Sequence, residues 1–171
     1  IPHLSAFLSF PNNDIKLEVL HTLARTRDAM AGRILLGFLK DPDEEIRIQA
    51  TMKLDPAGAG ARVQQIVHEA AGREFQAKSL KEKEAVLSFL GRTRAPEALD
   101  FLSRTLRRAP LFASKHVLEM RLAAAAGLAG MGTDEALAAL QKGAIGRTKR
   151  VREACRAALE SLPPAGGSIV R

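Results

Sequence analysis

The sequence predicts an all-α protein in which about five helical hairpins stack into an α–α superhelix, an armadillo- or HEAT-like solenoid architecture. First, one helical segment recurs five times, and its closing leucines are 31, 36, 38 and 31 residues apart. Second, a further apolar-periodic segment follows most copies after a short run of turn-forming residues. Third, alanine and leucine fill the apolar positions, while the chain has 7 Phe, no Trp and no Tyr. Short side chains favour helices packed closely against helices.

The recurring segment has the same order of residue types in each copy. An apolar residue stands first, a cation second, a small or β-branched residue fifth and a leucine ninth; Glu82 is the exception at the first place. Positions one, five and nine share one face of a helix, so each copy presents the same stripe to a common core. We call these the B helices and predict them at 13–25, 43–54, 79–92, 115–130 and 147–162.

The partner helix of each hairpin, which we call the A helix, is predicted from the second apolar pattern. Leu90, for example, is followed by Ala98 and Leu102, eight and twelve residues later. Pro96 suits the first turn of a helix, and Thr133 before two acids suits an N-cap. The A helices are predicted at 1–9, 28–40, 60–74, 95–108 and 133–144.

The predicted domain organisation is a helical repeat domain at 1–162 and a Pro/Gly-rich tail at 163–171. The tail contains Pro163-Pro164 and Gly166-Gly167, which cannot continue a helix. The chain opens with Ile1 instead of Met, so we expect a fragment of a longer protein.

The stretch from Asp41 to Leu54 resembles the inter-helix turn and second helix of a HEAT repeat, nearest to the short bacterial, phycobilisome-lyase type. The resemblance implies that A helices lie on a convex side and B helices on a concave side, where partners bind. It also implies that an aspartate in the turn pairs with the cation of the next helix, a spacing that Asp41 and Arg47 keep. The other repeats have different residues where that aspartate would stand: Phe10, Ala77, Lys115 and Gly146.

The cations at the second place of the B helices form what we call the cation column: Lys16, Arg47, Lys83, Arg121 and Arg152. Such side chains can bond the turns and helix ends of neighbouring repeats, or they can grip phosphates and acidic side chains of a partner. One cation per repeat is what the resemblance implies for the structural role, which we favour.

Two further positions of each B helix, the residue after the cation and the residue four later, are expected to face the concave side. The predicted partner-binding residues there are Leu17, His21, Ile48, Met52, Glu84, Ser88 and Leu122. Several are apolar where solvent is expected, which suits a helix or extended peptide from another protein or another domain of the parent chain. The alternative is that the curled solenoid or the tail covers them.

The charge distribution supports a second functional hypothesis. The formal net charge is +7, and residues 61–171 carry 19 Lys/Arg against 11 Asp/Glu, compared with 7 against 8 in residues 1–60. The densest group, here called the basic patch, is Arg147, Lys149, Arg150, Arg152 and Arg156. It is either a polar end to the stack or a site for nucleic acid or an acidic surface, bound through phosphates without base readout.

No catalytic, metal or cofactor site is expected. His68-Glu69 resembles the His-Glu pairs of HEAT-like di-iron hydroxylases, which need several such pairs, and this chain has one. The HEAT-like alkylpurine DNA glycosylases use aromatic side chains that are missing here, since there is no Trp or Tyr. Cys155 falls at a core position, and the glycines near Gly127 follow no strand, so close packing and a helix cap explain them better than a phosphate loop. The sequence therefore predicts a chain that is not an enzyme.

The expected location is the cytoplasm of a bacterium. A single cysteine allows no internal disulfide, and we find neither a signal peptide nor an apolar run long enough for membrane insertion. The composition, rich in alanine and arginine, is typical of a GC-rich bacterial genome.

Overall fold

A computed structural model describes residues 10–26, 29–110 and 114–162. These residues form ten α-helices and two 3-10 turns, Pro56–Gly58 and Gly60–Arg62, and the described ranges contain no strand. The helices are α1 Asn13–Thr26, α2 Ala29–Phe38, α3 Glu44–Lys53, α4 Val63–Ala71, α5 Arg73–Gln76, α6 Leu80–Thr93, α7 Pro96–Arg107, α8 Lys115–Met131, α9 Asp134–Gly143 and α10 Lys149–Glu160.

The helices lie in two layers, which confirms the predicted all-α class. The B layer consists of α1, α3, α6, α8 and α10, and each of these helices packs against the next in that order. The A layer consists of α2, α4, α7 and α9, of which α4, α7 and α9 pack in succession. One apolar core runs between the layers, with Leu20, Leu90, Leu128 and Leu140 fully buried.

Most helix starts are explained by local capping. The hydroxyls of Ser79, Ser114 and Thr133 accept hydrogen bonds from backbone N–H groups of the first turns of α6, α8 and α9, as the Asp43 carboxylate does for α3. Pro96 occupies the first turn of α7, and Thr133 is the N-cap, both as predicted. At the end of α8, Gly132 takes the left-handed conformation (φ 63°), which costs glycine little.

The predicted helix bounds are within about two residues of those observed, with one exception. The predicted A helix 60–74 is divided, because a 3-10 turn occupies Gly60–Arg62, and α4 then ends at Ala71, with Gly72 between it and the short α5. The predicted helix 1–9 and the tail 163–171 lie outside the described residues.

Two B helices approach each other closely where α6 crosses α8. A Cβ added to Gly91 would stand 2.7 Å from the carbonyl carbon of Gly127 and closer still to its oxygen. A Cβ added to Gly127 would lie 2.5 Å from the carbonyl oxygen of Leu87. Only hydrogen fits between these backbones, so the glycines determine how deeply α6 and α8 pack.

Candidate interaction surface of the B helices

The predicted partner-binding residues differ widely in their exposure. Met52 is 55% exposed, and His21 is also exposed. Glu84 and Ser88, on α6, are half-buried. Leu17 and Leu122 are also half-buried, but they pack against the core and offer only an edge to solvent. The surface is therefore less apolar than the sequence pattern indicates.

Ile48 does not face solvent, and the prediction that it does is wrong. It is 8% exposed, while Glu45 and Met52 are exposed and the Gln49 side chain, half-buried, bonds Glu45 across one turn at 2.7 Å. The solvent-facing line of α3 is thus 45, 49 and 52. The physical reason is that α3 lies between α1 and α6, which cover it on both flanks and widen its buried stripe. In the sequence, the polar pair Glu45–Gln49 indicates this solvent-facing line of α3.

Three members of the cation column pair with a carboxylate from the following repeat. Lys16 Nζ lies 2.7 Å from Asp41 Oδ2, and Lys83 Nζ lies 2.6 Å from Glu119 Oε2. Arg47 binds Glu82 with two parallel bonds of 2.7 and 2.8 Å, the strong bidentate geometry. These pairs join α1 to the turn before α3, α3 to α6, and α6 to α8.

The arginines of the column also bond backbone carbonyls that the helix ends leave without partners. Arg47 donates to the oxygens of Asp41 and Pro42 at 2.7 and 2.9 Å. Arg121 donates to the Leu106 oxygen and to Thr148 Oγ1, both at 2.9 Å, and Arg152 donates to the Gly146 oxygen at 3.1 Å. Among the described residues, no buried side-chain nitrogen or oxygen lacks a partner.

The HEAT resemblance implies that the carboxylate of Asp41 pairs with Arg47, and this expectation is wrong. The carboxylate of Asp41 bonds Lys16 of the preceding repeat, whereas Arg47 reaches the backbone oxygen of Asp41 and the carboxylate of Glu82. Glu82 stands at the one place where the repeat pattern breaks. Its departure from the apolar type has a physical reason, because its carboxylate binds Arg47, the cation of the previous B helix.

The cation column keeps two of its carboxylate partners, Glu82 and Glu119, ionised. Burial alone would raise the pKa of Glu82, but hydrogen bonds and charges from Arg47 and Lys78 outweigh that effect and lower the pKa. The bond from Lys83 lowers the pKa of Glu119. Desolvation lowers the pKa of the Arg121 guanidinium.

Glu84 differs from both of these glutamates. It is half-buried on α6, and it has no ion pair or hydrogen bond with its side chain among the described residues. Burial therefore raises its pKa without an opposing cation. An uncompensated carboxylate on this surface would gain from a cation brought by a partner.

The basic patch lies at the end of the stack. Arg147, Lys149, Arg150 and Arg156 are exposed, and Arg152 is half-buried against its own turn. One acidic contact is present in the described part of this region, Lys149 to Glu153 at 3.9 Å, which is too long and too exposed to hold the charge in place.

Neither the cysteine nor the histidines form a recognisable reaction centre within the described ranges. Cys155 is fully buried and burial raises the pKa of its thiol, so it is held protonated. His68 and Glu69 are exposed on α4, and no cluster of metal-ligating side chains occurs among the residues that the structure describes. Over the same residues, no helix combines the length and apolar character needed to cross a membrane.

Comparison with known proteins gives one structural neighbour of interest. No protein-family model matches the chain, and no curated protein matches it. Among solved structures, the chain is similar to human deoxyhypusine hydroxylase, with 18% identity and a TM-score of 0.39, over 92% of this chain and 82% of that one. The prediction that the chain is not an enzyme is contradicted by this finding, since the neighbour is an enzyme by name. We therefore do not retain that prediction. A likeness at this level assigns no activity.

Proposed function

We propose that the chain is a protein-interaction module that binds a segment of a partner protein across the solvent-facing surface of α3, α6 and α8. The observation that carries the proposal is the combination of an exposed apolar side chain, Met52, with a half-buried carboxylate, Glu84, that has no partner among the described residues; the two lie on directly packed helices. The partner segment is one that offers an apolar side chain and a cation.

The apolar part of this surface is small but concentrated. Met52 is flexible and polarisable, which suits a surface that accepts the side chain of another protein. On the other side of α6, the half-buried Leu122 and the exposed Ala126 of α8 add two further apolar side chains.

The charged part of the surface supplies orientation. Glu84 carries a raised pKa because it is desolvated without a partner, and a Lys or Arg from a bound segment would remove that penalty. The cation column does not compete for Glu84, because Lys83 is already held by Glu119 and Arg47 by Glu82.

The test is an affinity capture from source-cell lysate with nuclease treatment, in low and in high salt. Wild type is compared with Met52→Asp and Glu84→Gln, and the captured protein is identified by mass spectrometry. We expect one partner that survives high salt, is lost with Met52→Asp and is weakened with Glu84→Gln.

Ile145→Asp is the matched control, because Ile145 is an 82% exposed apolar residue outside this surface. It should leave capture unchanged. A partner that is retained equally by wild type and Met52→Asp would refute the proposed surface. Ile48→Asp is unsuitable as a probe, since a charge at a buried site would disturb the fold.

A second candidate function is electrostatic binding of nucleic acid or another acidic surface through the basic patch. The supporting observation is that four exposed cations lie within ten residues and only Lys149 has an acidic contact among the described residues. Binding of this kind falls steeply with salt. Titration of a labelled double-stranded DNA should give a strong salt dependence that Arg150→Glu with Arg156→Glu removes, and a flat salt response would exclude this role.

A further inference from the structure

The A layer contains a cleft between α2 and α4 that is much larger than the pocket of about 100 Å³ that α4 and α7 line in part. The volume of the cleft is about 830 Å³, which falls within the range of small-molecule sites. Whereas α4 packs on α7 and α7 on α9, α2 and α4 make at most marginal contact. The connection from α3 to α4 runs through two 3-10 turns instead of a tight turn, and this holds the two helices apart.

Two glycines of the cleft face open space. A Cβ added to Gly32, within α2, or to Gly58, in the first 3-10 turn, would meet no atom within 4 Å. Both residues line the cleft. Gly32 is thus unlike Gly91 and Gly127, whose missing side chains are required by close packing.

The buried residues that line the cleft are apolar. Leu23, Leu35, Leu54 and Phe89 are buried residues of the core, and Leu36 and Ile66 are half-buried beside them; all six line the cleft. Apolar side chains of this kind favour a hydrocarbon over a polar ligand.

The mouth of the cleft is electropositive. Three cations line it, Arg33, Lys53 and Arg62, and none forms an ion pair with any residue that the structure describes. The one acid there, Asp55, accepts a hydrogen bond from the Ala57 backbone and caps the 3-10 turn. Apolar walls beneath uncompensated cations match a molecule with a hydrocarbon body and an anionic head.

We propose that the cleft between α2 and α4 binds an organic anion with an aliphatic chain, such as an acyl carboxylate. The chain lies against Leu35, Leu54 and Phe89, and the head group pairs with Arg33 and Arg62. A small molecule fits better than a protein segment, because α2 has ten residues and spans only about 15 Å, and the cleft is a pocket instead of a continuous groove. This site is separate from the B-helix surface.

The first experiment is a methyl NMR titration with decanoate, below its micelle concentration, beside 1-decanol as the neutral probe of equal chain length. We expect decanoate to shift the methyl signals of Leu35, Leu36, Leu54 and Ile66 and to leave those of Leu128 and Leu140 unchanged. Decanol should bind about tenfold more weakly, because it lacks the charge that the arginines recognise.

Two sets of variants separate the head-group site from the chain site. Arg33→Gln with Arg62→Gln should weaken decanoate about tenfold and leave decanol unaffected, whereas Arg150→Gln, in the basic patch, should change neither. Gly32→Leu should fill the cleft and block both probes. Ala138→Leu places the same side chain on an exposed site of α9 and should leave binding intact.

The proposal is overturned if decanoate leaves the cleft methyl groups unmoved. It is also overturned if decanoate and decanol bind equally and the arginine variant changes nothing, because the site would then recognise no anion. Should Gly32→Leu fail to fold, as circular dichroism would report, the double arginine variant decides alone. None of these outcomes bears on Met52 or Glu84, so the proposed protein-interaction surface stands or falls separately.

Discussion

The two layers of this molecule are joined from repeat to repeat in different ways. In the B layer, every neighbouring pair of helices is linked by a charged side chain: Lys16 to Asp41, Arg47 to Glu82, Lys83 to Glu119 and Arg121 to Thr148. Between the described A helices there is one side-chain hydrogen bond, Gln64 to Glu97, at 3.5 Å. The first two described A helices are separated by a cleft.

This difference indicates that the B layer sets the register of the stack and that the A layer follows it. Directional bonds and a glycine crossing fix where each B helix lies relative to the next. The A helices are held mainly by apolar contact, which is not directional and tolerates a gap where one connection is longer. A solenoid can therefore open a pocket in one layer without losing the order of its repeats.

The largest expected effect comes from breaking the buried pair in the centre of the B layer. Lys83 is fully buried and bonds Glu119, so Lys83→Ala leaves a half-buried carboxylate with only its longer contacts to the exposed Lys115 and His116, at 3.7 and 3.9 Å. We expect a loss of about 3 kcal/mol in the free energy of unfolding, measured by urea denaturation. Lys149→Ala removes an exposed cation with one long contact and should cause no measurable change.

A double variant, Lys83→Met with Glu119→Leu, sharpens the same test. If the loss in Lys83→Ala comes from an uncompensated charge, replacing both partners by apolar residues should restore most of the stability. If the pair instead fixes the register, the double variant should stay stable but unfold with lower cooperativity. A Lys83→Ala protein as stable as wild type would end the claim that the B layer depends on these pairs.

The next effect compares a glycine of each layer. Gly91→Ala forces α6 away from α8, because its Cβ would overlap the Gly127 carbonyl, and we expect a loss of about 2 kcal/mol. Gly32→Ala meets no atom and replaces a helix-interior glycine, so it should gain about 0.5–1 kcal/mol. Thermal unfolding followed by circular dichroism measures both changes, and equal effects of the two substitutions would refute the contrast between the layers.

Much of the fold could be predicted from the sequence because its signals are periodic and local. The ninth-place leucines Leu90 and Leu128 are buried, and the caps at Pro96 and Thr133 are where the pattern indicates. The break within the helix predicted at 60–74 has no such signal, since Gly60 and Gly72 act through turns whose cost depends on the packing around them.

The candidate surface could be predicted less well, because exposure depends on neighbours that are distant in sequence. Counting from Arg47 predicts Ile48 on the solvent side, but α3 packs between α1 and α6 and Ile48 is buried. Glu82 breaks the repeat pattern because it binds Arg47, which lies 35 positions earlier and outside any local pattern. The cleft between α2 and α4 has no local motif, since it arises from the length of the connection that precedes α4.

The smallest expected effect separates the glutamates of α6 and α8 by their pH dependence. The pKa of Glu119 is lowered from the ordinary 4.5, so its stabilisation is complete above about pH 4.5 and is lost as the pH falls through the folded-state pKa. The pKa of Glu84 is raised, so the folded state binds its proton more tightly, and ionisation costs stability as the pH rises above 4.5. In urea denaturation between pH 3 and 8, Glu84→Gln should therefore be more stable than wild type at neutral pH, with the difference vanishing in acid. Glu119→Gln should be less stable at neutral pH, and its deficit should also shrink in acid. If both variants shift stability in the same direction at neutral pH, a group within this protein already compensates the charge of Glu84. A cation of a bound protein would then gain nothing by pairing with Glu84.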